Sequence, residues 1–600
     1  MVGSVREKFT SQYNQELVNL KDYSAWYWRF IPHYRHVEDY QEGLEKKEFI
    51  RPEDREVTPE NFEFRDESKR NYWKRLFDEY EYRVPDRERK NKSPWRWFDK
   101  GTSSKEKALV LKLDLLIVTF AIISYWSKNL DAININQAYV SGLKEAIGMK
   151  GNDLSNTIAI FNAGTVIFQV FFIYLFPRFD PGLLLFGVST LWSIVTILTS
   201  KVHNTGQLQA CRFFIGALEA GYFMQIHYVL GSWYKSDEIG RRGGLYYTGQ
   251  MIGALTASLL QARLVELDGR NGLQGWQWMF IIDGLITVPV GILALYMLPG
   301  TPEKCTSLFL SDDEIRLARK RLRDANIKAP SKEPPQFFNW ALWKKILTSW
   351  QVYVLALLDA FFWNSSNNGY NGFALWLKSS NRYSTAEVNR LTSIPPAIGI
   401  GTILAVCFSA DLFRSRTFAI TWAEIFNLSS SLILAIWNVS ESAKWYAFYV
   451  GYFGITISSV IYGWLNDIMR NDPQERAIVL CFSNMFSNQS TAWIGRLTFP
   501  TSEGPRFKKG YIYATVVDVL VIIWVWVTFF FYKRHEKKNA RGNGIILYNT
   551  KTGDVPPEVQ RWLNEDGSIR DVPSDVSSIE YPSDSKSKTE VSLVLKSDSE

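Results

Sequence analysis

Two charged residues lie seven positions apart in an apolar stretch of the sequence, RFFIGALEAGYF at residues 212–223. Seven residues make about two turns of helix, so Arg212 and Glu219 would share one face about 10 Å apart. A charge near the centre of a bilayer costs roughly 2.5 to 3.5 kcal/mol, so each needs a partner or a water-filled cavity. Because burial favours the neutral form of a carboxyl group, Glu219 is a candidate proton-coupling residue. The alternative is a permanent ion pair between the two, although two turns is a long reach for a direct contact.

A second pair of charges lies at the outer end of the first apolar segment, in SKNLDAININQAY at residues 127–139. Asp131 shares a helix face with Lys128, three residues before it. A local ion pair at a helix end and a proton-binding role for Asp131 explain this spacing equally well. Both interpretations stay open at the level of sequence.

Amide and hydroxyl side chains interrupt the seventh apolar segment in WNSSNNGYNG, residues 363–372. Such a run weakens a helix and supplies many donors and acceptors, which is typical of a discontinuous helix that binds substrate in a cavity. The alternative is a loop that begins earlier than the apolar pattern suggests. A similar polar run lies in the eleventh segment. Together the two runs contain four candidate substrate-binding residues, Asn364, Asn368, Asn484 and Asn488.

The 600-residue chain is 46% hydrophobic and 15% aromatic, which suits a bilayer better than an ordinary soluble enzyme. Lysines and arginines beside apolar segments explain the net charge of +7 better than nucleic acid binding does. The four cysteines lack metal-ligand spacing, so neither a zinc site nor a disulfide framework is indicated. The amino terminus lacks the apolar core of a cleavable signal peptide, so membrane insertion depends on internal segments.

Twelve segments of about 20 mostly apolar residues are long enough to cross a bilayer as helices. The first six lie near residues 109–130, 154–176, 182–200, 206–228, 243–264 and 278–298, and the second six near 351–377, 389–410, 417–437, 444–465, 477–497 and 511–532. Between the two sets, the charged loop 299–350 contains SDDE at 311–314, a capping box that begins a basic amphipathic helix. The sequence therefore predicts an all-α membrane protein of two six-helix bundles, residues 108–298 and 351–532, with a cavity between them at mid-membrane.

Basic residues between the segments place both termini on the cytosolic side. They are Lys235, Arg241, Arg242, Arg414, Arg416 and the YKRHEKK run at 532–538. The cytosolic tails, residues 1–107 and 533–600, contain no recognisable chemistry. Residues 66–100 mix aromatic side chains with both charges, which fits either a segment at the inner leaflet or an ordinary solvated helix. The serine-rich carboxyl terminus predicts disorder.

Other residues of the apolar segments have simpler or no explanations. Gly249 and Gly253, four positions apart, predict close packing between helices. Asp283 begins a segment and is expected near the membrane interface. Three further acidic residues have no assigned role and are expected to contact a cavity or a polar partner: Asp359, Glu424 and Asp518.

The motifs resemble those of the major facilitator superfamily, and within it the fungal anion:cation symporter family, which includes allantoate, pantothenate and biotin permeases. RFFIGALEAGYF resembles the family's fourth-helix motif, and GWQWMFIIDG at 275–284 resembles its GWRW-F-I-I-E-G segment. ADLFRSR at 410–416 resembles the cytosolic gate loop, so Asp411, Arg414 and Arg416 are the candidate gate residues. The resemblance extends over about residues 105–545 and implies a major facilitator fold.

The resemblance also implies roles for individual residues. In this family the acid that ends the first helix and the fourth-helix glutamate are linked to protonation, which carries onto Asp131 and Glu219. The fourth-helix arginine meets the substrate carboxylate, which carries onto Arg212. Family members often have arginine directly after the first-helix aspartate, whereas this chain has Ala132. The loss of that cation favours a monocarboxylate or a zwitterion over a dianion, and Lys128 is the candidate replacement.

We therefore expect a plasma-membrane symporter that is driven by the proton gradient and acts as a monomer without a cofactor or metal. Its expected substrate is a small organic monoanion or zwitterion, with a biotin-like vitamin favoured and Asn134 as a further substrate-binding residue. A nutrient receptor with a transporter fold and a carrier of a sulfur-containing amino acid derivative remain as alternatives. The sequence contains no nucleophile motif or histidine cluster, which argues against a membrane enzyme.

Overall fold

The computed structural model describes residues 32, 34, 37, 56–86, 97–98, 101–175, 178–324, 340–366, 370–470 and 473–564. These residues belong to two compact units. The first comprises Met1–Glu45 and Asn91–Arg534, and the second comprises Lys46–Lys90 and His535–Glu600.

The described part of the chain contains twelve long helical segments, named α1 to α12 in chain order. The first six are α1 (Ser104–Ile147), α2 (Asp153–Leu175), α3 (Pro181–Thr199), α4 (Thr205–Glu219 with Tyr222–Trp233), α5 (Ser236–Leu264) and α6 (Gly275–Met297). The second six are α7 (Trp350–Ser366 with Tyr370–Ser379), α8 (Thr385–Leu412), α9 (Arg416–Ile436), α10 (Glu441–Ile468), α11 (Pro473–Thr498) and α12 (Lys508–Lys538). Each corresponds to one of the predicted apolar segments, so the prediction of six helices on either side of the central loop is confirmed.

Hydropathy alone identifies fewer spans than the fold contains. Among the described residues, eight helices are long and apolar enough to cross a membrane, and a bent pair, Trp340–Thr348 with Trp350–Ser365, is a ninth candidate. The segments outside this set are α4, α5 and α11. α4 is divided after Glu219, and α11 contains the serine and asparagine run. These helices are more polar because many of their side chains contact other helices instead of lipid.

The central loop contains the predicted amphipathic helix, Asp312–Asp324. The capping box is present at its start: Ser311 Oγ accepts a hydrogen bond from the Glu314 amide, and the Glu314 carboxylate accepts one from the Ser311 amide. Near its end, Arg321 binds the carboxylates of Glu106 on α1 and Glu238 on α5. The helix is therefore fixed to the first bundle.

Small residues let α5 approach α1 closely. A Cβ atom at Gly249 would overlap the carbonyl oxygen of Ile122, and one at Gly253 would lie 2.8 Å from that of Trp126. This confirms the predicted packing role of the two glycines. α1 also contains two π-helical segments, Asp114–Val118 and Tyr139–Leu143, on either side of Lys128 and Asp131.

Five helices make the main contacts between the two six-helix halves. α2 packs against α11, and α5 packs against α8 and α10. α2 of the first half corresponds to α8 of the second, and α5 corresponds to α11. The contacts α2–α11 and α8–α5 are therefore equivalent, as expected for two halves related by a pseudo-two-fold axis. Side chains on these helices can therefore form a site between the halves.

The second unit joins the described parts of both tails. β1 (Glu63–Asp66) and β2 (Ile545–Tyr548) pair in parallel and share a small buried core of Phe62, Phe64, Ile546, Tyr548 and Val559. The short helix Tyr72–Phe77 follows β1, and Pro557–Gln560 follows β2. The sequence suggests two separate tails. In the structure their described strands pair, because neither strand alone could satisfy its backbone hydrogen bonds. The serine-rich carboxyl terminus, for which disorder is predicted, lies outside the described residues.

The Asp66 carboxylate holds the two strands of this unit together. It accepts hydrogen bonds of 2.5 to 3.3 Å from the backbone amides and hydroxyl groups of Ser68 and Thr550. Burial raises the pKa of Asp66, but the four hydrogen bonds lower it by more, so its pKa lies below the usual value.

We expect Asp66→Asn to weaken the β1–β2 pairing by about 2 kcal/mol at neutral pH, because hydrogen bonds to a charged acceptor are lost. Since the folded pKa is lowered, this stabilisation is complete above the unfolded value of about 3.9 and is lost as the pH falls through the folded pKa. Faster amide hydrogen exchange of residues 545–548 in the full-length protein at pH 7 is the readout. Glu558→Gln, which removes a half-exposed carboxylate of the same unit, should leave this exchange unchanged. Unchanged exchange in Asp66→Asn would contradict the prediction.

Candidate functional site

Charged side chains on α1 lie opposite charged side chains of the other sign on α4. Lys128 Nζ is 3.0 Å from Glu219 Oε2, and Arg212 Nη1 is 3.7 Å from Asp131 Oδ1. Arg212 Nη1 also donates a hydrogen bond of 3.3 Å to the carbonyl oxygen of Asp131. Lysine precedes aspartate on α1, and arginine precedes glutamate on α4. Because α1 and α4 cross the membrane in opposite directions, each cation lies beside a carboxyl group of the other helix.

This cross-pairing explains why α4 contains both charges. Arg212 and Glu219 are too far apart along one helix for a direct contact, and each binds α1 instead. Lys128 and Asp131, for which a local ion pair was one interpretation, each bind α4. The paired residues are three positions apart on α1 and seven on α4, about 4.5 and 10.5 Å of helix, and the long lysine and arginine side chains cover the difference.

The charged cluster extends into α3 and α6. Thr196 Oγ1 donates a hydrogen bond of 3.1 Å to Asp131 Oδ2, and Asn134 Nδ2 donates one to Asp283 Oδ2. Asp283, the ninth residue of α6, is fully buried inside the first bundle, where the amide of Asn134 solvates its carboxyl group. The expectation that it lies near the membrane interface stays a prediction. Asn134, a candidate substrate-binding residue, binds a carboxyl group of its own bundle in this conformation.

The charge count of the cluster favours one bound proton. Lys128 and Arg212 supply two positive charges, whereas Asp131, Glu219 and Asp283 can supply three negative ones. Asp283 interacts electrostatically with Asp131, Glu219 and Arg212, so all five groups share one environment. An uncompensated charge inside a helical bundle costs several kcal/mol. The cluster is neutral when one of its carboxyl groups is protonated.

Exposure differs among the charged side chains. The Lys128 side chain is 20% exposed, whereas those of Arg212 and Glu219 are 2% and 1% exposed. Arg212 still has two donors, Nε and Nη2, without a hydrogen-bond partner among the described residues. A guanidinium that presents two such donors fits the paired oxygens of a carboxylate.

A small cavity with both polar and apolar lining residues lies between the two halves. Its lining residues are Ile133, Asn136 and Gln137 of α1, Ala254 and Ser258 of α5, Phe373 of α7, Thr392 and Pro395 of α8, and Tyr452 of α10. Gln137 Nε2 donates a hydrogen bond of 3.0 Å to Ser258 Oγ. Within the described residues, the side-chain carbonyl oxygens of Asn136 and Gln137 have no hydrogen-bond partner. The sequence could have indicated these two cavity residues, because they lie in ININQ, one to two turns after Asp131 on the same helix.

Hydrogen bonds between α2 and α11 also connect the two halves. Gln169 Nε2 of α2 donates a hydrogen bond of 3.0 Å to Asn484 Oδ1 of α11. Asn484 Nδ2 donates one of 3.1 Å to the Tyr462 hydroxyl of α10. Ser487 Oγ donates 3.0 Å to Asp359 Oδ2, and Asp359 also interacts with Tyr462. Asp359 thus has polar partners at the interface between the halves, in agreement with the expectation for it.

An aromatic layer lies beside this network. The rings of Tyr247 on α5 and Tyr462 on α10 stack across the two halves with centroids 6.0 Å apart and an angle of 9°. Phe223 and His227 of α4 also contact Tyr462, at 4.9 and 6.1 Å between ring centroids. Sequence reasoning missed these residues because aromatic side chains are frequent throughout the chain.

The candidate asparagines of the second half occupy different positions. Asn364 Nδ2 donates hydrogen bonds of 2.8 Å to the Ala360 carbonyl and to Ser490 Oγ of α11. Asn488 Nδ2 donates 2.9 Å to Asn484 Oδ1, so both α11 candidates belong to the network with Gln169. Asn368 lies outside the described residues, which end at 366 and resume at 370.

Glu424 of α9 and Asp518 of α12 form a buried carboxyl pair. Ser365 Oγ lies 2.7 Å from an oxygen of each, and Asn427 Nδ2 donates 2.8 Å to Ser365 Oγ. A hydroxyl group has one proton to donate, so Ser365 can donate to only one of the two carboxyl groups. For both contacts to be hydrogen bonds, the other acid carries a proton and donates it to Ser365. In the part of the chain that the structure describes, no lysine or arginine forms an ion pair with either acid, so this proton also limits the buried charge.

The gate loop residues have separate roles. Asp411 Oδ2 is 3.0 Å from Arg241 Nε of α5, which joins the two halves at the predicted cytosolic end. Arg416 Nη1 is 3.0 Å from Asp467 Oδ2 of α10 and so stabilises the second half internally. Arg414 has a left-handed backbone conformation with a φ of 49°, which ends α8 and starts the turn into α9.

The halves also meet at the opposite end. Lys378 Nζ of α7 donates a hydrogen bond of 3.3 Å to the Val140 carbonyl of α1. Asn389 Nδ2 of α8 donates one of 3.1 Å to Ser141 Oγ of α1. Both acceptors lie in the second π-helical segment of α1, Tyr139–Leu143. The charged cluster and the cavity therefore lie between two sets of contacts that join the halves, the Arg241–Asp411 pair at one end and the Lys378 and Asn389 hydrogen bonds at the other.

A sequence profile described as the Major Facilitator Superfamily matches residues 117–495. The chain belongs to this superfamily. It is 40% identical over 506 residues to the vitamin H transporter of Saccharomyces cerevisiae, which covers 83% of this chain and 85% of that protein. It is 32% identical to a pantothenate transporter of Schizosaccharomyces pombe, over 70% of this chain and 82% of that one. These similarities confirm the predicted permease branch.

The solved structures support the same fold. The proton:xylose symporter XylE, bound to 6-bromo-6-deoxy-D-glucose, matches with a TM-score of 0.53 at 13% identity, over 69% of this chain and 96% of that one. At this identity the likeness concerns the fold alone. Because its named relatives are transporters of this superfamily, the protein is a membrane transporter and not an enzyme, as the sequence predicted.

Reversal of one charge in the Lys128–Glu219 pair should be strongly destabilising. We expect Lys128→Glu to cost about 3 to 5 kcal/mol, because two buried carboxyl groups then face each other, and Lys128→Glu/Glu219→Lys to recover most of this loss. Thermal stability of the purified protein is the measurement. As a control, the same single and double charge reversals are made in the exposed pair Arg382–Glu441. Each should lower the free energy of unfolding by less than about 1 kcal/mol. Equal losses in the single and double variants of the buried pair would contradict the cross-pairing.

The carboxyl pair in the second half should tolerate one amide. We expect Glu424→Gln or Asp518→Asn alone to remain folded, because an amide nitrogen can replace the protonated acid as a donor to Ser365. Ser365→Ala should cost about 2 kcal/mol, because it removes the group that binds both acids. Thermal stability and monodispersity are the measurements. If both amide variants failed to fold while Ser365→Ala was neutral, the proposed proton would be excluded.

Proposed function

We propose that this transporter imports a small organic monoanion or zwitterion together with protons, with a biotin-like vitamin carboxylate as the favoured substrate. Similarity to a vitamin H transporter and to a pantothenate transporter supports a vitamin that carries one carboxylate. The observation that carries the proposal is the cross-paired cluster of α1 and α4. It contains two cations that could bind a carboxylate and carboxyl groups that could bind a proton.

The ion pairs supply a physical route to coupling. While Glu219 and Asp131 are ionised, they occupy Lys128 and Arg212, and a substrate carboxylate must compete with them. A proton on either acid weakens its ion pair and frees the cation for the substrate. Conversely, a bound substrate carboxylate replaces the negative charge that the acid has lost. Proton and substrate therefore favour each other's binding, which is the requirement for symport.

The charges near the site favour a monoanion. Ala132 replaces the arginine that family members often have after the first-helix aspartate. Arg212 is then the main partner for one carboxylate, with the partly exposed Lys128 as a second cation. A dianion would leave a carboxylate without a dedicated partner, which is costly away from water.

The neutral part of the substrate would lie between the halves at this cavity, which has a volume of only about 20 Å³ in this conformation and must widen to admit it. Asn136, Gln137, Ser258 and Thr392 provide hydrogen-bonding groups there, and Phe373 and Tyr452 provide apolar surface. A ureido or amide group on a small apolar body fits this combination. We assign the alternation of access to opening of the Arg241–Asp411 contact at one end and of the α1 contacts with Lys378 and Asn389 at the other.

We place the protein in the plasma membrane as a monomer with both termini in the cytosol, as the basic loops favour. A nutrient receptor is the second candidate, because the described parts of the two tails form one folded unit that could serve as an output element. Removal of that unit separates the two, since a carrier should keep its uptake and a receptor should lose its response.

Uptake into proteoliposomes tests the coupling. We expect Glu219→Gln to abolish accumulation driven by an inward proton gradient, because the amide cannot bind and release the proton. Exchange of labelled for unlabelled substrate, which needs no net proton movement, should persist in this variant. Glu266→Gln, a change at an exposed acid after α5, is the matched control and should accumulate substrate normally. Accumulation against the substrate gradient by Glu219→Gln would disprove the assignment.

The substrate is identified in the same vesicles. Biotin, pantothenate and amino acid sulfoxides are compared as competitors of labelled biotin uptake. We expect monocarboxylates to compete and dicarboxylates of similar size to compete at least about tenfold less well, because one carboxylate would lack a cation. Preferential competition by a sulfoxide amino acid would favour the alternative carrier.

A further inference from the structure

Asp359 of α7 is a fully buried acidic residue of the second half, and its polar partners belong to α10 and α11. Among the described residues, no lysine or arginine forms an ion pair with it, whereas Asp131 and Glu219 of the first half each have one. A buried carboxylate without a cation is costly, so its charge depends on the hydrogen bonds that it accepts. Those hydrogen bonds come from hydroxyl groups.

The Tyr462 hydroxyl group donates its proton to Asp359. It has three hydrogen-bonding partners, Trp363, Asn484 and Asp359. Trp363 Nε1 and Asn484 Nδ2 are both donors and lie 2.8 and 3.1 Å from the Tyr462 oxygen. A hydroxyl group has two lone pairs and one proton, so these donors occupy the lone pairs and the proton is left for Asp359. This arrangement suits an ionised Asp359.

A hydrogen-bond chain leads from Asp359 to the first half. Asn484 Oδ1 accepts hydrogen bonds from Gln169 Nε2 of α2, at 3.0 Å, and from Asn488 Nδ2, at 2.9 Å. The amide nitrogen of Asn484 therefore faces Tyr462 as a donor. All donors point from Gln169 towards Asp359, so the acid is the last acceptor. Because hydrogen bonds in a chain polarise one another, a negative charge on Asp359 strengthens the contact between α2 and α11.

Ser487 provides a partner for the protonated form of Asp359 as well. Its Oγ lies 3.0 Å from Asp359 Oδ2 and 2.9 Å from the carbonyl oxygen of Asn484. One hydroxyl proton can serve only one of these acceptors. An ionised Asp359 accepts this proton, whereas a protonated Asp359 can donate to Ser487, which then donates to the carbonyl oxygen. Asp359 can therefore gain or lose a proton while Ser487 remains its partner.

The other titratable groups around Asp359 are aromatic side chains. Tyr247 of α5 stacks on Tyr462 and interacts electrostatically with Asp359. His227 of α4 contacts the Tyr462 ring and interacts electrostatically with Arg476. Since histidine can change its charge near neutral pH, an experiment must separate it from Asp359. Acidic residues near the ends of α10 and α11 have cations of their own: Asp467 pairs with Arg416, and Glu475 with Lys345.

We propose that Asp359 is a proton-binding site of the second half, and that its ionised form holds α2 against α11 through the hydrogen-bond chain. A proton on Asp359 replaces charge-assisted hydrogen bonds with neutral ones, which are about half as strong. The contact between the halves then loosens. This site differs from the cluster of α1 and α4, to which we assign the substrate, because it controls how readily the halves separate. Its part in transport rests on the proposed function, whereas the hydrogen-bond chain does not.

Hydrogen exchange of the substrate-free, full-length protein in lipid nanodiscs tests the hydrogen-bond chain. Asp359→Asn replaces the acid with an uncharged group that resembles its protonated form. At about pH 8 we expect amides of residues 165–172 of α2 to exchange at least about twofold faster in this variant than in the wild type. At about pH 5.5 the two proteins should exchange equally, because the wild-type acid is then protonated as well. Comparison at the same pH removes the intrinsic pH dependence of exchange.

Matched variants separate the proton on Asp359 from other causes. Tyr462→Phe keeps the ring but interrupts the hydrogen-bond chain, so α2 should exchange at the faster rate at both pH values, and this variant tests the proposal even if Asp359→Asn does not fold. His227→Gln should behave as the wild type, and so should Asp518→Asn, a change at a buried acid that contacts Ser365 instead. Three results would overturn the proposal: equal exchange in wild type and Asp359→Asn at the higher pH, the same difference at both pH values, or loss of the pH response in His227→Gln.

Exchange of labelled for unlabelled biotin in proteoliposomes, at equal pH on both sides, tests the role in transport. Protonation of the cluster of α1 and α4 should alter the KM for substrate, whereas protonation of Asp359 should alter the maximal rate. We therefore expect Asp359→Asn to abolish the pH dependence of the maximal rate and to retain that of KM. A maximal rate with unchanged pH dependence would overturn this role. If the wild type exchanged no biotin, the proposed substrate would be wrong, and hydrogen exchange alone would decide the proposal for Asp359.

Discussion

In the first bundle, the ion pairs between Lys128 and Glu219 and between Arg212 and Asp131 determine how α1 and α4 face each other. Three buried charges and the partly exposed Lys128 can be compensated in this way only when the helices run antiparallel and their charged faces meet. The remaining contacts are consistent with that arrangement. Thr196 and Asn134 extend the polar cluster, and glycines of α5 allow α1 to lie close behind it. A proton that enters this cluster therefore alters contacts between helices and not only the charge of one side chain.

The two halves use equivalent helices for different electrostatic tasks. Helices α7, α9 and α12 correspond to α1, α3 and α6 of the first half. In both places acidic groups are buried among the three helices, Asp131 and Asp283 in the first half and Glu424 and Asp518 in the second. In the first half, Arg212 is the partner of Asp131 and interacts electrostatically with Asp283, whereas the second-half pair has Ser365 and Asn427. Around these acids, charged partners therefore lie in the first half and neutral hydrogen-bonding partners in the second.

The contacts between the halves consist of a few polar and aromatic side chains. Arg241 and Asp411 meet at one end, Lys378 and Asn389 reach α1 at the other, and Tyr247 stacks on Tyr462 between them. Such contacts are individually weak, so one set can open while another remains closed.

The sequence by itself determined the number and order of the helices, the capped linker helix and the presence of Arg212 and Glu219 on one face of α4. These features follow from local periodicity, since hydropathy and capping depend on residues within a few turns. Only the tertiary structure decided the partners: Arg212 with Asp131, Glu219 with Lys128, Asn134 with Asp283, and Asp359 with Ser487. It also placed Asp283 in the bundle interior and paired the described parts of two tails almost 500 residues apart, β1 with β2. The physical reason is that a side chain's charge partner depends on which helix faces match across the bundle, and that match is made by the packing of the whole chain.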